Sequence, residues 1–323
     1  MKRQNIIILL ATLLNLVGAK AFAQNEVYFD VEVEGLYYRL TNDSYYDEAS
    51  YTYYDGTATI VNPSGDDGNS WEIQPAAYQE NGELIIPSSI TVYDDNYESW
   101  DSEYQKTYCV TAIGKKAFYG CWISASVFVP SSVTMIDDNA FSHSYGLTSI
   151  NIPNSVTKIG NSAFNGCSNL VSVDIPASVT SIGDDTFSGC SSMSSLTIPN
   201  TVISIGKSAF ARCSNLKILN IPNSVTSIED GAFSSCSGLT SVYIPISVTN
   251  IGRNAFYECS GKLTVNCNIV NNAFSSSSFN EVIIGNDVTD IGSYAFSYCS
   301  HLTNISIPNC VTSIGYQAFY YCI

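Results

Sequence analysis

Charge is what this 323-residue sequence has least of. Asp, Glu, Lys and Arg make up 13% of it, against about 25% in an ordinary soluble chain, which points away from a typical cytosolic enzyme. Bases are the scarcer sign. Thirteen Lys and Arg stand against 29 Asp and Glu, a net charge of -16, and this excludes a nucleic-acid partner, because phosphate binding is driven by clustered Lys and Arg. Only two histidines occur, His143 and His301. The repeat register described below sets them about seven coils apart, roughly 34 Å at the usual strand spacing, so they cannot share a metal or a catalytic triad. The G-x-S-x-G, H-E-x-x-H, P-loop and G-x-G-x-x-G patterns are all absent, which removes the physical parts of hydrolase, zincin and nucleotide-binding chemistry. The sequence is not poor in apolar residues: 45% are hydrophobic, with 22 Tyr and 21 Gly. That is enough for a large core and rules out a disordered or collagen-like chain.

Long apolar runs are also scarce. The one uncharged run near a terminus, Ile6 to Val17, follows Lys2 and Arg3 and precedes Ala21-Phe22-Ala23. Twelve residues span only about 18 Å as a helix, short of the ~30 Å hydrocarbon core. Basic start, short apolar stretch and small residues before Gln24 together read as a signal peptide over 1–23, cleaved before Gln24. No Cys follows the cleavage site to carry a lipid, and no later stretch is apolar enough to cross a bilayer. The mature chain is therefore expected to be secreted or displayed at the cell surface.

The dominant feature is an internal period. Phe stands at 118, 141, 164, 187, 210, 233 and 256, each 23 residues after the last, and the series continues at 274, 296 and 319. Five residues before every one of these ten Phe is an Ile, and eight before is a Val, with Asn266 the one exception. A unit this short cannot bury its own apolar face, whereas stacked copies make one continuous core, so the fold is expected to be a solenoid. Ile150 and Ile152 alternate with Ser149 and Asn151, which reads as a short strand with one face inward. Proline at 130, 153, 176, 199, 222, 245 and 308 closes that strand, since it has no N–H for the ladder. A second extended segment, Val156 to Ile159, ends at Gly160, leaving room in Ala163-Phe164-x-x-Cys167 for one helical turn or an irregular loop.

The pattern L-x-x-I-x-I-P-x-S-V-T-x-I-G-x-x-A-F-x-x-C resembles the BspA-like class of leucine-rich repeat found in bacterial secreted and cell-surface proteins. The resemblance covers about two thirds of the chain. It implies a curved, β-lined solenoid used for attachment, with matrix proteins such as fibronectin or fibrinogen, or other cells, as partners in some members. It implies no enzymatic activity. The fold class expected is thus a β-rich solenoid, a leucine-rich repeat arc of about ten 23-residue coils with an N-terminal β cap. The unit around Lys262 to Ala273 lacks the Pro and loses five residues, and it should distort the arc locally.

The segment before the repeats differs in chemistry. Residues 24–108 hold 18 acids against Arg39 and Lys106, a net of -16, while 109–323 hold 11 acids against 8 bases, a net of -3. Val27 to Glu34 alternates apolar and polar before Gly35, which suggests hairpin strands. Leu84-Ile-Ile-Pro87 copies the repeat strand and Cys109 to Gly114 copies the second half of a unit, so 91–108 looks inserted within a first, irregular coil. The expected organisation is a signal peptide at 1–23, an acidic, Tyr-rich N-terminal β cap with an inserted hairpin at 24–108, and repeats at 109–323. A cap is needed because a solenoid end otherwise exposes apolar surface.

Candidate chemistry is sparse. Asp137-Asp138 and Asp184-Asp185 follow the Ile-Gly position and read as solvated turn residues rather than an acid–base pair. Asp66-Asp67-Gly-Asn69 and Asp94-Asp95-Asn-Tyr-Glu98 carry calcium-type oxygens without the spacing of an EF-hand loop. No metal and no cofactor is implied. Eight of the 11 Cys lie three residues after a repeat Phe, with Ser144 and Ser277 in the same column. Parallel side chains in one column do not match disulfide geometry, so these Cys are expected to be free, buried thiols. Cys109 and Cys310 share a second column.

The candidate ligand-binding residues form the outward column of the first strand: Phe128, Asn151, Asp174, Thr197, Asn220, Tyr243, Ile283 and Ser306. They vary while the core columns scarcely do, as a recognition surface would. Phe128 and Tyr243 are the expected anchors, since aromatics are enriched in binding hot spots. The sequence thus points to a secreted or cell-surface, adhesin-like binding protein that engages an extracellular protein or glycan of host or microbial origin. An alternative is a structural, oligomerising scaffold module of a larger extracellular assembly, with the last coil as a surface for self-association.

Overall fold

The computed structural model of the chain describes residues 83–90, 107–121 and 126–323 with their side chains, together with 36, 38–40 and 58–60; of the rest it describes only strand backbone. The calcium-type run at 66–69 and residues 95–98 of the second run lie outside the described residues. So does most of the expected leader, of which the backbone of Asn5–Ile8, Val17–Lys20 and Phe22–Ala23 is described. Asn5–Ile8 pairs antiparallel with Val17–Lys20 and with Ser89–Asp94.

The repeats form a β-solenoid of about nine coils preceded by an irregular one, and the coil that ends at Phe274 is the shortened unit. Two parallel ladders run along it. In the first, Leu84–Ile85, Ser126–Phe128, Ser149–Asn151 and Ser172–Val173 pair in register, and Asp174 bridges Thr197. A second run of this ladder joins Ile218–Asn220, Ser241–Ile244, Ser260–Val265, Ser278–Ile284 and Asn304–Ser306. The pairing lapses between Thr197 and Ile218. Proline ends the first strand, and its carbonyl then closes a turn, with Val156 N–H donating to Pro153 O at 3.0 Å. The second strand is therefore shorter than expected: of Val156 to Ile159 only Lys158–Ile159 is strand, since the Val156 N–H closes the turn, although the Thr157 N–H already reaches Thr134 O of the preceding coil at 2.9 Å.

The stretch around each Phe is neither a helical turn nor irregular. The residue two before each repeat Phe has φ between 50 and 66°, and the residue two after has φ between 57 and 76°, in all ten coils. These left-handed positions flip alternate peptides. Ser162, Phe164 and Gly166 N–H donate to Asp184, Thr186 and Ser188 carbonyls of the next coil at 2.7 to 2.8 Å. Between them Ala163, Asn165 and Cys167 N–H close turns to Gly160, Ser162 and Phe164 carbonyls at 3.1 to 3.3 Å. In the Phe164 coil all six of these backbone donors are thereby used, half of them between coils. Asn, Asp, Ser and Gly fill many of these positions because they tolerate left-handed backbone at least cost.

Inside, the repeat Phe rings make one stack. From Phe118 to Phe256 successive centroids lie 4.9 to 5.5 Å apart with planes within 13°. At the shortened coil the stack tilts: Phe256 and Phe274 meet at 38°, and Phe279 packs against both at 6.4 and 6.3 Å. Phe279 is itself fully buried there. Parallel stacking resumes at Phe274–Phe296 and Phe296–Phe319.

At the N-terminal end, Phe29–Val33, Leu36–Leu40 and Gly56–Val61 form an antiparallel sheet, and Gly56–Val61 pairs parallel with Gln105–Ile113. Gly114 N–H donates to Ile60 O at 2.8 Å, as Gly160 N–H does to Ile136 O at 2.8 Å. Ile60 thus stands where the preceding coil's Ile would stand, and Leu36, Leu40 and Ala58 are buried beside it. Ser89–Asp94 and the start of Gln105–Ile113 pair antiparallel, from Ser89 opposite Cys109 to Tyr93 opposite Gln105. No helix among the described residues is long and apolar enough to cross a membrane.

Candidate functional site

The first ladder aligns the outward strand residues in one column, because inward Val127 and Ile150 fix the pleat and the 23-residue period fixes the register. Phe128 pairs with Asn151, Asp174 with Thr197, Asn220 with Tyr243, and Ile283 with Ser306. The lapse between Thr197 and Ile218 divides the column, so Phe128 and Tyr243 lie in different runs of the ladder. Phe128 is 45% exposed and Tyr243 39%. Asp174, Thr197, Asn220 and Ser306 are exposed, and Ile283 is half-buried.

Asn151 is spent within the fold. Its Oδ1 accepts the Val129 N–H at 2.7 Å and its amide donates to Val129 O at 3.3 Å. Two residues belong to the column that the sequence reading passed over. Thr264 pairs with both Tyr243 and Ile283, and Ile85, 40% exposed, pairs with Phe128. Neither coil shows the regular spacing: Thr264 sits in the shortened unit, and a register shift falls at Gly261/Lys262. Beside Thr264, Lys262 and Glu281 form an ion pair at 2.9 Å.

The turn face carries a second ordered system. Oδ1 of Asp138, Asn161, Asp184 and Asp230 each accepts the N–H of the residue 23 positions on, at 2.7 to 2.9 Å. Asp138 and Asp184 are therefore struts between coils. Asp185, beside Asp184, is pushed above the usual carboxylate range by burial and by the Asp184 charge. Among the described residues no three His, Cys, Asp or Glu side chains gather to hold a metal. His143 packs edge-on against Tyr119 and meets the Tyr145 hydroxyl at 3.2 Å, while His301 has Ser300 for a neighbour.

All 11 cysteines are free, and the column does more than fill space. Cys167, Cys190, Cys213, Cys236, Cys259, Cys299 and Cys322 each donate Sγ–H to the carbonyl of the preceding coil's Phe at 3.0 to 3.3 Å. Ser144 makes the same bond to Phe118 O at 2.6 Å, which explains why serine can replace cysteine there. Burial pushes the Cys167 thiol up to about 12 and Cys299 to about 11, and raises Cys190, Cys213 and Cys259 well above the ordinary value. Such thiols are protonated donors and poor nucleophiles.

Stacked two-ladder coils, a Phe spine and an exposed strand face define a leucine-rich repeat solenoid, an architecture of interaction modules. The chain belongs to the family described as BspA type Leucine rich repeat region, whose model matches six copies over residues 92–217, 134–262 and 267–323. A leucine rich cell surface protein of Faecalibacterium prausnitzii A2-165 shares 25% identity, with 93% of this chain and 81% of that one covered at a TM-score of 0.53. A leucine-rich repeat protein of Bacteroides ovatus ATCC 8483 shares 24%, with 90% and 80% covered at 0.52, and supports the fold. A search of curated proteins gave no match. Proteins of this family and fold are generally non-enzymatic.

Proposed function

We propose that this chain is an exported, adhesin-like binding protein, secreted or held at the cell surface, that engages an extracellular macromolecule through the strand face of its repeats. Residues 1–23 serve as the leader, 24–108 as the acidic cap and 109–323 as the binding unit. The observation that carries the reading is the contrast along the first strand. Inward positions repeat Val, Ile or Leu, whereas outward positions on successive coils run Phe128, Asn151, Asp174, Thr197, Asn220, Tyr243 and Thr264. Tyr243, Asn220 and Thr264 are consecutive on three paired strands, and Asn151 is removed from the set because the backbone holds its amide. Export is supported by the Lys2-Arg3 start and the short apolar run, and by the cell-surface description of the Faecalibacterium relative.

An array of immobilised matrix proteins and glycans tests the reading. Saturable binding of the folded chain to at least one protein, abolished by prior unfolding, is the expected result. Failure of every immobilised ligand to bind the folded chain would overturn it.

A further inference from the structure

An open groove of about 740 Å³ crosses the turn face, away from the strand column, between the coils of Phe164 and Phe256. Its floor is low because the two columns that face each other there hold Ser208, Ala211, Gly231 and Ser234, where other coils carry Lys116, Tyr119, Tyr294 and Tyr320. Arg212 and Arg253 stand at its edges. Neither guanidinium makes an ion pair or a side-chain hydrogen bond among the described residues, although Asp185 and Asp230 line the same groove. Four charged side chains thus share one groove without neutralising one another, which leaves planar donors and acceptors open to a ligand. Tyr257 closes one end, 37% exposed. Glu258 braces it, taking a hydrogen bond from its phenol and another from Ser235 Oγ at 2.9 Å, and it pushes the phenol above its usual range.

We infer that this groove binds a neutral, unbranched polysaccharide, with Arg212, Asp185 and Arg253 bonding sugar hydroxyls and Tyr257 stacking on a sugar ring. Sugar hydroxyls both donate and accept, so they match a set that mixes Arg with Asp, Ser and Asn. A polyanion would meet the Asp185 and Asp230 carboxylates, and an apolar peptide would find Ala211 and Tyr257 but no apolar floor. The spacing fits too. Phe centroids across these coils are 5.3 to 5.5 Å apart, close to the rise of one sugar in an extended β-1,4-linked chain, so each coil can meet one sugar unit. The inference is independent of the strand-face reading, because no residue is common to the two surfaces.

Calorimetric titration of the purified chain with cello-, manno- and chito-oligosaccharides of two to six units, and with heparin and polygalacturonate, tests it. One neutral series should bind with affinity that rises with length and levels off at about five units, one per coil crossed. Arg212→Ala and Tyr257→Ala should each weaken it about tenfold, as loss of one good polar or stacking contact does, and Tyr243→Ala on the strand face should leave it unchanged. Binding of the charged polysaccharides alone, no binding of any neutral series, or full affinity in Tyr257→Ala would overturn it.

Discussion

Asn161 and Gly183 are interdependent residues on adjacent coils. The Asn161 Oδ1 accepts the Asp184 N–H at 2.9 Å, and that same oxygen fills the place where a Cβ on Gly183 would stand. The next neighbour of such a Cβ, Thr186 Oγ1, lies 3.3 Å away. At Gly160, Gly206 and Gly252 a Cβ would also meet the Oδ1 of Asp138, Asp184 and Asp230, at 2.6 to 2.7 Å, with backbone of the preceding coil closer still at Gly160 and Gly252; at Gly292 it would meet backbone of Ile269, Val270 and Asn271. Where the preceding coil carries Lys115, Lys207 or Arg253, the position is Asp137, Glu229 or Val270 instead. Glycine is required here for room, not for a left-handed φ.

Gly183→Ala should therefore destabilise the chain by roughly 2 kcal/mol through the collision with the strut. Asn161→Lys alone should cost about 1 kcal/mol, one hydrogen bond. The double variant should lose less than the sum, by about 1 kcal/mol, because removing the strut makes room for the methyl group. Urea unfolding of the four proteins reads the coupling.

The thiol column makes a similar distinction between space and bonding. Cys190→Ser keeps a second donor for Phe164 O, as Ser144 does naturally for Phe118 O, whereas Cys190→Ala leaves that carbonyl with the Cys167 N–H alone. Cys190→Ala should cost about 1 kcal/mol, one hydrogen bond, and Cys190→Ser should stay closer to the native stability in the same denaturation experiment.

Raised thiol pKa values make the fold sensitive to alkali. In the folded chain Cys167 ionises at about 12 rather than 9.0. Above pH 9 the unfolded state loses that proton and the folded state keeps it, so the stability is full below pH 9 and falls as pH rises toward 12. Each such thiol should remove about 1.4 kcal/mol per pH unit in that window. Thermal melts from pH 8 to 11 should show this fall. A thiol reagent at pH 8 should leave the buried column unlabelled until denaturant is added.

Phe187 is fully buried between two stacked rings 5.3 and 5.4 Å away, while Phe319 at the last coil is half-buried and stacks on one side. Phe187→Ala should cost about 3–5 kcal/mol, and Phe319→Ala distinctly less. Calorimetric melting of the two variants makes the comparison.

The columns of Phe, Ile, Val and Cys were legible in sequence because each packs against its own copies and so tolerates one residue type. The left-handed positions were not, since Lys116, Asn139, Ser162, Asp185, Gly231 and Tyr294 all occur at one of them and no residue type holds it throughout. The struts were missed for another reason. Asp138 and Asp184 read as solvated turn residues until the neighbouring coil supplied their N–H partners, and the Asn161–Gly183 dependence exists only between columns. In the strand face, the regular spacing found eight of the outward residues but not Thr264 or Ile85, which sit where the period is broken. Contacts between coils also showed the Asn151 amide bonded to the Val129 backbone. The turn-face groove is a product of several unlike columns and has no sequence signature of its own.

The central claim is that Tyr243 and its neighbours on the strand face contact an extracellular macromolecule. Surface plasmon resonance of the purified chain over the immobilised matrix proteins and glycans of the array, fibronectin and fibrinogen among them, repeated with Tyr243→Ala and with the turn-face variant Tyr257→Ala, tests it most directly. Saturable binding to one of them, weakened about tenfold by Tyr243→Ala with the melting temperature unchanged and untouched by Tyr257→Ala, is the expected result. Equal binding by the native chain and Tyr243→Ala, or no binding by either, would contradict the account.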